Sequence, residues 1–128
     1  MKIWTILISS FLLFFGSPQE VPHTTIEKAM KSNDAKTIVA LGKEKIVLQI
    51  LGKEGAFNHT QAETILNDFF VKKPKGDFNF NFKGKENAEN VVLSVGTYVV
   101  NKENFRCSFQ FRTEKSVSKM ESLIIEKQ

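Results

Sequence analysis

Residues 62–82 read AETILNDFFVKKPKGDFNFNF, and the spacing of apolar side chains changes within this stretch. The first part predicts a helix whose apolar face carries Ala62, Ile65, Leu66, Phe69 and Phe70. Pro74 prevents the helix from continuing, and after Asp77 phenylalanine alternates with polar residues, as in a strand with one buried face. A helix with two phenylalanines on one face must pack against a broad surface, which the following strands are predicted to supply.

Three more strands are predicted downstream. Residues 91–100 are almost continuously apolar, residues 105–112 alternate between apolar and polar side chains, and residues 117–125 close the chain. The links at 101–104 and 113–116 are short and polar. Links of this length join neighbouring antiparallel strands, so the four strands after the long helix are predicted to form a meander.

The starts of three helices are predicted from capping residues. Asn58 and Gln61 predict a capping box at the start of the long helix. Thr24 and Glu27 form a similar pattern, which predicts the start of a short first helix. Asp34 is the predicted N-cap of a second short helix.

Between the second and the long helix, residues 46–51 are rich in branched apolar residues and predict a strand. Residues 52–55, Gly-Lys-Glu-Gly, predict a turn that leads back into a short partner strand. Helices at the start, followed by a curved antiparallel sheet that covers the long helix, make the predicted fold class α+β. The length fits one domain, which we place at residues 22–128.

The chain begins with a predicted signal peptide at residues 1–17. Lys2 is the only charged residue before Glu20, and the apolar run at 3–15 is shorter than the roughly 20 residues that a membrane-spanning helix needs. The small residues Gly16 and Ser17 favour cleavage there. A small residue is also expected three positions before the cleavage site, where this chain has Leu13 or Phe15. We therefore expect export to the periplasm or cell envelope and no stable membrane span after leader removal, with a retained membrane tether as the alternative.

Cysteine content and charge narrow the class of protein further. Cys107 is the only cysteine, so no intramolecular disulfide and no cysteine-based metal site is expected. Small secreted domains of eukaryotes usually carry disulfides, so a bacterial envelope protein fits better. The net charge is +4, and removal of Lys2 with the leader lowers it to +3. We expect no nucleic-acid partner, because this charge is too small for a dedicated binder and the protein is exported.

Several short motifs resemble those of one protein family. They are Asn33-Asp34-Ala35, Gly52-Lys-Glu-Gly55, Gln61-Ala62-Glu63, Asp68-Phe69-Phe70, Phe82-Lys-Gly84, Val95-Gly96-Thr97 and Phe105-Arg106. From about Thr24 to Glu126 the chain resembles an uncharacterised bacterial family of exported proteins, a domain of unknown function within the nuclear transport factor 2-like, cystatin-like superfamily. The resemblance implies a cone-shaped sheet wrapped on one long helix, with two short N-terminal helices. It brings no established activity, and this chain has Phe82 where the family pattern has histidine.

Candidate catalytic residues are few, and we expect no enzyme. His59 lies at a solvated helix start, and His23 lies close to the predicted cleavage point, where we expect disorder. Their separation gives no metal-binding pattern, and no nucleotide or cofactor motif occurs in the sequence. Cys107 alternates with phenylalanines and is expected to be a buried, inert thiol.

One mixed surface suggests an interface. The predicted interface or ligand face consists of Tyr98, Arg106, Ser108, Gln110 and Arg112, because arginine and tyrosine are enriched at protein interfaces. On the strand at 91–100 we expect Val91, Leu93, Val95 and Val99 to face the core and Tyr98 to lie on the other side. A plain solvated sheet face is the alternative.

These observations favour a small non-catalytic module that binds an envelope protein, a second copy of itself in a homodimer, or a small ligand. The alternative is a small isomerase or dehydratase that uses a pocket in the cone near Tyr98.

Overall fold

The structure is a computed structural model, and it describes residues 20–128. The predicted signal peptide lies outside the described residues. In chain order the elements are α1 (His23–Lys31), α2 (Ala35–Ala40), β1 (Gly42–Ile50), β2 (Lys53–Phe57), α3 (His59–Lys72), β3 (Asp77–Lys83), β4 (Val91–Val100), β5 (Glu103–Glu114) and β6 (Val117–Lys127). The predicted α+β class and the long helix are confirmed. None of the helices among residues 20–128 is long and apolar enough to cross a membrane.

The six strands form one sheet in the order β2-β1-β6-β5-β4-β3. The meander from β3 to β6 and the β1–β2 hairpin are antiparallel, as predicted. The pairing of β1 with β6 is parallel and has no counterpart among the predicted strand contacts. This pairing joins the β1–β2 hairpin to the β3–β6 meander, so that all six strands form one sheet.

Two of the three predicted caps are confirmed. The Asp34 carboxylate accepts a 3.1 Å hydrogen bond from the backbone N–H of Thr37, and Asn58 and Gln61 form the reciprocal capping box. The capping box predicted from Thr24 is wrong. The helix begins two residues earlier, at His23, so Thr24 lies inside the first turn, and the N-cap is Pro22, which makes no side-chain hydrogen bond.

The core lies between α3 and the inner face of the sheet. Phe69 and Phe70 point from α3 into this face, and the ring of Phe69 lies 5.3 Å from that of Phe105 and 5.6 Å from that of Tyr98. The sheet contributes further aromatic side chains, namely Phe78, Phe80, Phe109 and Phe111. A cavity of only about 30 Å³ remains beside Ile65 and Phe69. The space between α3 and the sheet is therefore filled by side chains.

The expected orientation of β4 is wrong. The inner, buried residues are Val92, Ser94, Gly96, Tyr98 and Val100, whereas Leu93 and Val99 are exposed on the outer face. The small inner residues make room for aromatic rings of the neighbouring strand. A Cβ atom on Gly96 would lie 2.3 Å from the ring of Phe78. Both faces of β4 are rich in valine, so apolar content alone did not distinguish them.

A bulge changes the direction of the last phenylalanine of β3. The register with β4 shifts between Phe80 and Phe82, so that Phe80 is opposite Gly96 and Phe82 is opposite Val95. Phe82 consequently lies on the outer face with 54% of its surface exposed. The predicted alternation places Phe78 and Phe80 correctly but not Phe82.

Candidate functional site

The outer face of the sheet carries four of the five residues predicted as an interface. Arg106, Ser108, Gln110 and Arg112 alternate along β5 and are exposed or half-buried. Tyr98 is buried on the inner face, so it does not belong to this group. The predicted combination of Tyr98 with the two arginines is therefore wrong in its geometry.

One charged row crosses the outer face at each end of this group. At one end Arg106 lies opposite Glu126 on β6, and its Nη2 atom is 3.1 Å from the Glu126 Oε1 atom. At the other end the Arg112 guanidinium donates from Nε and Nη2 to the two carboxylate oxygens of Glu121, and its Nη1 atom donates to the Glu89 carbonyl at 3.0 Å.

Glu121 connects three strands. Besides the bonds from Arg112, it accepts a 2.9 Å hydrogen bond from the Gln110 amide on β5, and the Lys43 ammonium of β1 lies 3.5 Å away. These contacts, above all the hydrogen bond from Arg112, lower the pKa of the Glu121 carboxyl. Arg112 and Gln110 therefore hold the register of the sheet in addition to any surface role.

Between the two charged rows lies an apolar patch. The outer apolar patch consists of Val47, Leu93, Val95 and Ile124. Val95, Ser108 and Ile124 are adjacent in register across three strands, and Leu93 is 44% and Val47 48% exposed. Ser108 and Gln110 lie within this patch. Apolar strips of this kind are typical of contact surfaces, although single exposed apolar residues are common on any protein.

Tyr98 has a structural role at the other end of β4. Its hydroxyl donates a 2.7 Å hydrogen bond to the carbonyl of Lys73 and accepts bonds of 2.9 Å from the Asn33 amide and the Gly76 N–H. The hydroxyl is fully engaged, and the ring packs on Phe69 and Phe70. The pocket near Tyr98 that the enzyme alternative required is therefore occupied by packed side chains.

Two further predicted residues are held by the fold. Burial raises the pKa of the Cys107 thiol to about 12, and the side chain is fully buried, as predicted. His59 is half-buried rather than solvated, and its Nε2 atom donates a 2.8 Å hydrogen bond to the carbonyl of Lys43. His59 thus connects the start of α3 to β1.

His23 is ordered, contrary to the prediction. It is the first residue of α1 rather than part of a disordered segment, and its Nε2 atom lies 2.7 Å from the Ser94 hydroxyl on β4. The centres of the His23 and Phe80 rings lie 4.8 Å apart, and the two rings pack edge to face. Burial, with a smaller contribution from Lys83, lowers the pKa of His23, which favours the neutral imidazole. No local pattern indicates this contact, because 71 residues separate His23 from Ser94.

A cavity of about 440 Å³ lies next to His23, away from the packed Tyr98 end of the sheet. It is lined by Glu20, Val21, His23, Gly84, Lys85, Glu86, Val92, Thr113 and Ser118. The residues come from the start of α1, the β3–β4 connection and the adjacent ends of three strands. Among residues 20–128, no group of acidic, histidine and cysteine side chains is arranged to hold a metal ion.

Comparison with known proteins bears on the fold. A crystal structure of a DUF4783 family protein from Bacteroides uniformis aligns with a TM-score of 0.74 at 24% identity, covering 85% of this chain and 98% of that chain. An NTF-2 like protein of unknown function from Silicibacter pomeroyi gives a TM-score of 0.56 at 8% identity, with 82% and 88% coverage. A domain of unknown function with a cystatin-like fold from Nostoc punctiforme gives 0.62 at 12% identity, with 83% and 72% coverage.

These likenesses confirm the nuclear transport factor 2-like fold. No curated protein matches the sequence significantly. The family described as a domain of unknown function, DUF4783, matches residues 23–126, which is nearly all of the part that the structure describes. The chain therefore belongs to the DUF4783 family, the uncharacterised family that the sequence motifs resemble.

Proposed function

We propose that this protein is an exported, non-catalytic module that associates through the outer face of its sheet, and that the occupant of this face is a second copy of the chain. The observation that carries the proposal is the outer apolar patch between the Arg106–Glu126 and Arg112–Glu121 rows. The apolar leader at residues 1–17 supports export.

The size of the face is compatible with a dimer contact. The face includes four neighbouring strands, β1, β6, β5 and β4, each about ten residues long. From the strand spacing and the rise per residue, its flat area is on the order of 600 Å². The side chains that project from the sheet add to this area. Stable contacts bury about 800 Å² on each partner, so the outer face supplies an area of the required order.

The charges of the face favour a second copy over a strongly charged partner. Each row pairs an arginine with a glutamate, so the face has both signs and no large excess of either. In a two-fold arrangement the same face meets itself, and a face of one sign would repel its copy. Here a copy can place its apolar patch against that of its partner while the charged rows remain at the rim.

Sedimentation velocity of the mature chain over a range of concentrations tests the proposal. We expect a dimer that becomes a monomer when Leu93→Asp places a charge in the outer apolar patch. Val71→Asp is the matched control, because Val71 is 71% exposed on α3 and lies outside the sheet face. A wild-type chain that is monomeric throughout, or a Leu93→Asp chain that dimerises as well as Val71→Asp, would contradict the proposal.

A small isomerase or dehydratase is the second candidate, and His23 favours it, because this side chain lines the cavity and burial lowers its pKa. Such enzymes need a base whose pKa allows it to accept a proton near neutral pH. The test is proton exchange: an isomerase that enolises ketones would exchange the α-protons of cyclohexanone with D₂O faster than buffer does. His23→Gln should abolish this excess rate, and a wild-type rate equal to that of buffer would remove this reaction as a candidate.

A further inference from the structure

We infer that two copies of this chain meet face to face about a two-fold axis that runs along the strands, midway between β5 and β6. The axis rests on the proposed function, because it specifies how the outer face meets its own copy. From the strand order, β5 of one copy then lies over β6 of the other, and β4 lies over β1. These contacts can be tested separately from dimer formation itself.

The charges of the outer face lie in two columns. β5 carries Arg106 and Arg112, and β6 carries their partners Glu126 and Glu121. The two columns are on neighbouring strands, about 5 Å apart, whereas the two arginines are separated by about 20 Å along β5. The glutamate column also has an exposed lysine, Lys119, at the Arg112 end. The Arg106–Glu126 end therefore defines the two columns most clearly.

Two-fold symmetry allows few ways to superimpose these columns. When two sheets meet face to face, the axis lies between them, and each residue lies over the residue of the second copy at the reflected position. An axis across the strands would place β5 on β5, with Arg106 over Arg112, and an axis along β5 would place each arginine over its own copy. Orthogonal packing would cross the columns instead of superimposing them.

Only the axis between β5 and β6 places arginines over glutamates. Arg106 then lies over Glu126 of the second copy, and unlike charges that face each other across an interface favour the arrangement. The strands of the two sheets are nearly aligned about such an axis, which is one of the two common ways for sheets to stack. The charges of the face thus select one orientation.

The same axis brings exposed apolar residues together. The successive register partners from β4 to β1 are Leu93, Gln110, Ser122 and Val47. Reflection of this row across the axis places Leu93 over Val47 of the second copy. These side chains are 44% and 48% exposed in the single chain, so both are removed from water in the dimer.

Next to the axis, larger side chains lie over small ones. Ser108 of β5 pairs in register with Ile124 of β6, so Ile124 lies over Ser108 of the second copy. In the adjacent row Gln110 lies over Ser122 by the same reflection. Such pairs let the side chains of two stacked sheets interdigitate at the usual separation of about 10 Å. The centre of the face is therefore compatible in shape with the axis that the charges select.

A mixture of two charged variants tests the contact between Leu93 and Val47. Leu93→Lys and Val47→Glu should each be monomeric in sedimentation velocity, because each places a charge against an apolar side chain of the second copy. In an equimolar mixture the new ammonium group faces the new carboxylate, and the other half of the interface is wild type. We expect the mixture to form heterodimers about tenfold more tightly, or more, than either variant dimerises alone.

A mixture of Leu93→Lys with Leu93→Glu is the matched control. It contains the same two charges, but the axis keeps the two copies of residue 93 about 14 Å apart, which is three strand spacings. This mixture should therefore stay monomeric. Recovery in the control, or no recovery in the first mixture, would overturn the axis even where the wild-type chain dimerises. A monomeric wild-type chain would instead remove the proposed function, and the axis with it.

One single substitution distinguishes the two directions of the axis. The side chains of Arg106 and Glu126 are 49% and 47% exposed, so their pairing adds little to the stability of one chain, and the variant should fold. Arg106→Glu should weaken the dimer about fivefold, because it places a carboxylate over Glu126 of the second copy. With an axis across the strands it would instead relieve the contact with Arg112 and tighten the dimer.

Lys36→Glu makes the same change of charge on α2, outside the sheet, and should leave the dimer unchanged. Dimerisation of Arg106→Glu that is as tight as that of Lys36→Glu, or tighter, would overturn the inference. Sedimentation velocity over a range of concentrations measures both.

Discussion

The hydroxyl oxygen of Tyr98 lies 2.7 Å from the carbonyl oxygen of Lys73, and this bond joins the inner face of the sheet to the end of α3. Helix ends leave carbonyl groups without partners inside the helix, and Pro74 prevents another turn. The same hydroxyl accepts a bond from the N–H of Gly76. Tyr98 therefore fixes the path of the chain from α3 into β3.

Tyr98→Phe should lower the free energy of unfolding by about 1–3 kcal/mol, because the ring stays while buried backbone groups lose their partner. Urea denaturation measures the change. Asn33→Gly suits a double-mutant cycle, since Asn33 has a positive φ of 56° and its amide donates to the same hydroxyl. We expect the combined loss to be smaller than the sum of the two single losses. An unchanged denaturation midpoint for Tyr98→Phe would refute this role.

Cys107 should be inert in the folded protein. The thiolate is the reactive form, and burial raises the pKa of the Cys107 thiol to about 12. Ellman's reagent at pH 8 should therefore label the native chain only at the rate of unfolding, and it should label the chain at once in concentrated urea. Fast labelling without denaturant would show that the β5 strand opens locally or that the thiol is accessible.

Glu103 should make stability depend on pH in the acid range. Its carboxylate accepts hydrogen bonds from the ammonium groups of Lys127 at 2.8 Å and Lys73 at 2.6 Å, which lower its pKa to about 2. A lowered pKa in the folded state means that the contribution to stability is full above the ordinary pKa of 4.5 and is lost as the pH falls towards 2.

The measurement is urea denaturation between pH 6 and pH 2 for the wild type and Glu103→Gln. The variant should lose less stability across this interval, because it has no proton to take up at this position. Glu54→Gln, on the exposed edge strand β2, is the control and should retain the wild-type pH dependence. Parallel curves for Glu103→Gln and the wild type would contradict the assignment.

Local sequence signals predicted most of the fold. The Asn58–Gln61 box, the apolar face around Phe69 and the alternation on β5 each depend on neighbouring residues, and each was predicted correctly. Contacts between distant parts of the chain were not predictable in the same way. The parallel β1–β6 pairing and the His23–Ser94 hydrogen bond have no local signal.

The candidate sites show the same limit. The β5 residues of the outer face follow from alternation, but alternation does not place Tyr98, because β4 is apolar on both sides. The small residues Ser94 and Gly96, which share the face of Tyr98, were the available sign that this face packs against large rings. The cavity could not be predicted, because its lining comes from three separate regions, represented by His23, Gly84 and Ser118.

Two phenylalanines of β3 that are alike in sequence should differ in their effect on stability. The ring of Phe80 lies 5.0 Å from Phe78, 5.8 Å from Phe109 and 4.8 Å from His23, whereas Phe82 is 54% exposed beyond the bulge. Phe80→Ala should cost about 2–4 kcal/mol, since it leaves a cavity among aromatic rings. Phe82→Ala should change stability by less than about 0.5 kcal/mol.

Urea denaturation of both variants, at a protein concentration low enough to keep the chain monomeric, makes this comparison. The two substitutions remove the same atoms from the same strand, so each serves as the control for the other. If Phe82→Ala were as costly as Phe80→Ala, the alternation would continue through residue 82 and the bulge would be absent. A large difference between them means that the register shift, rather than the sequence pattern, decides which ring belongs to the core.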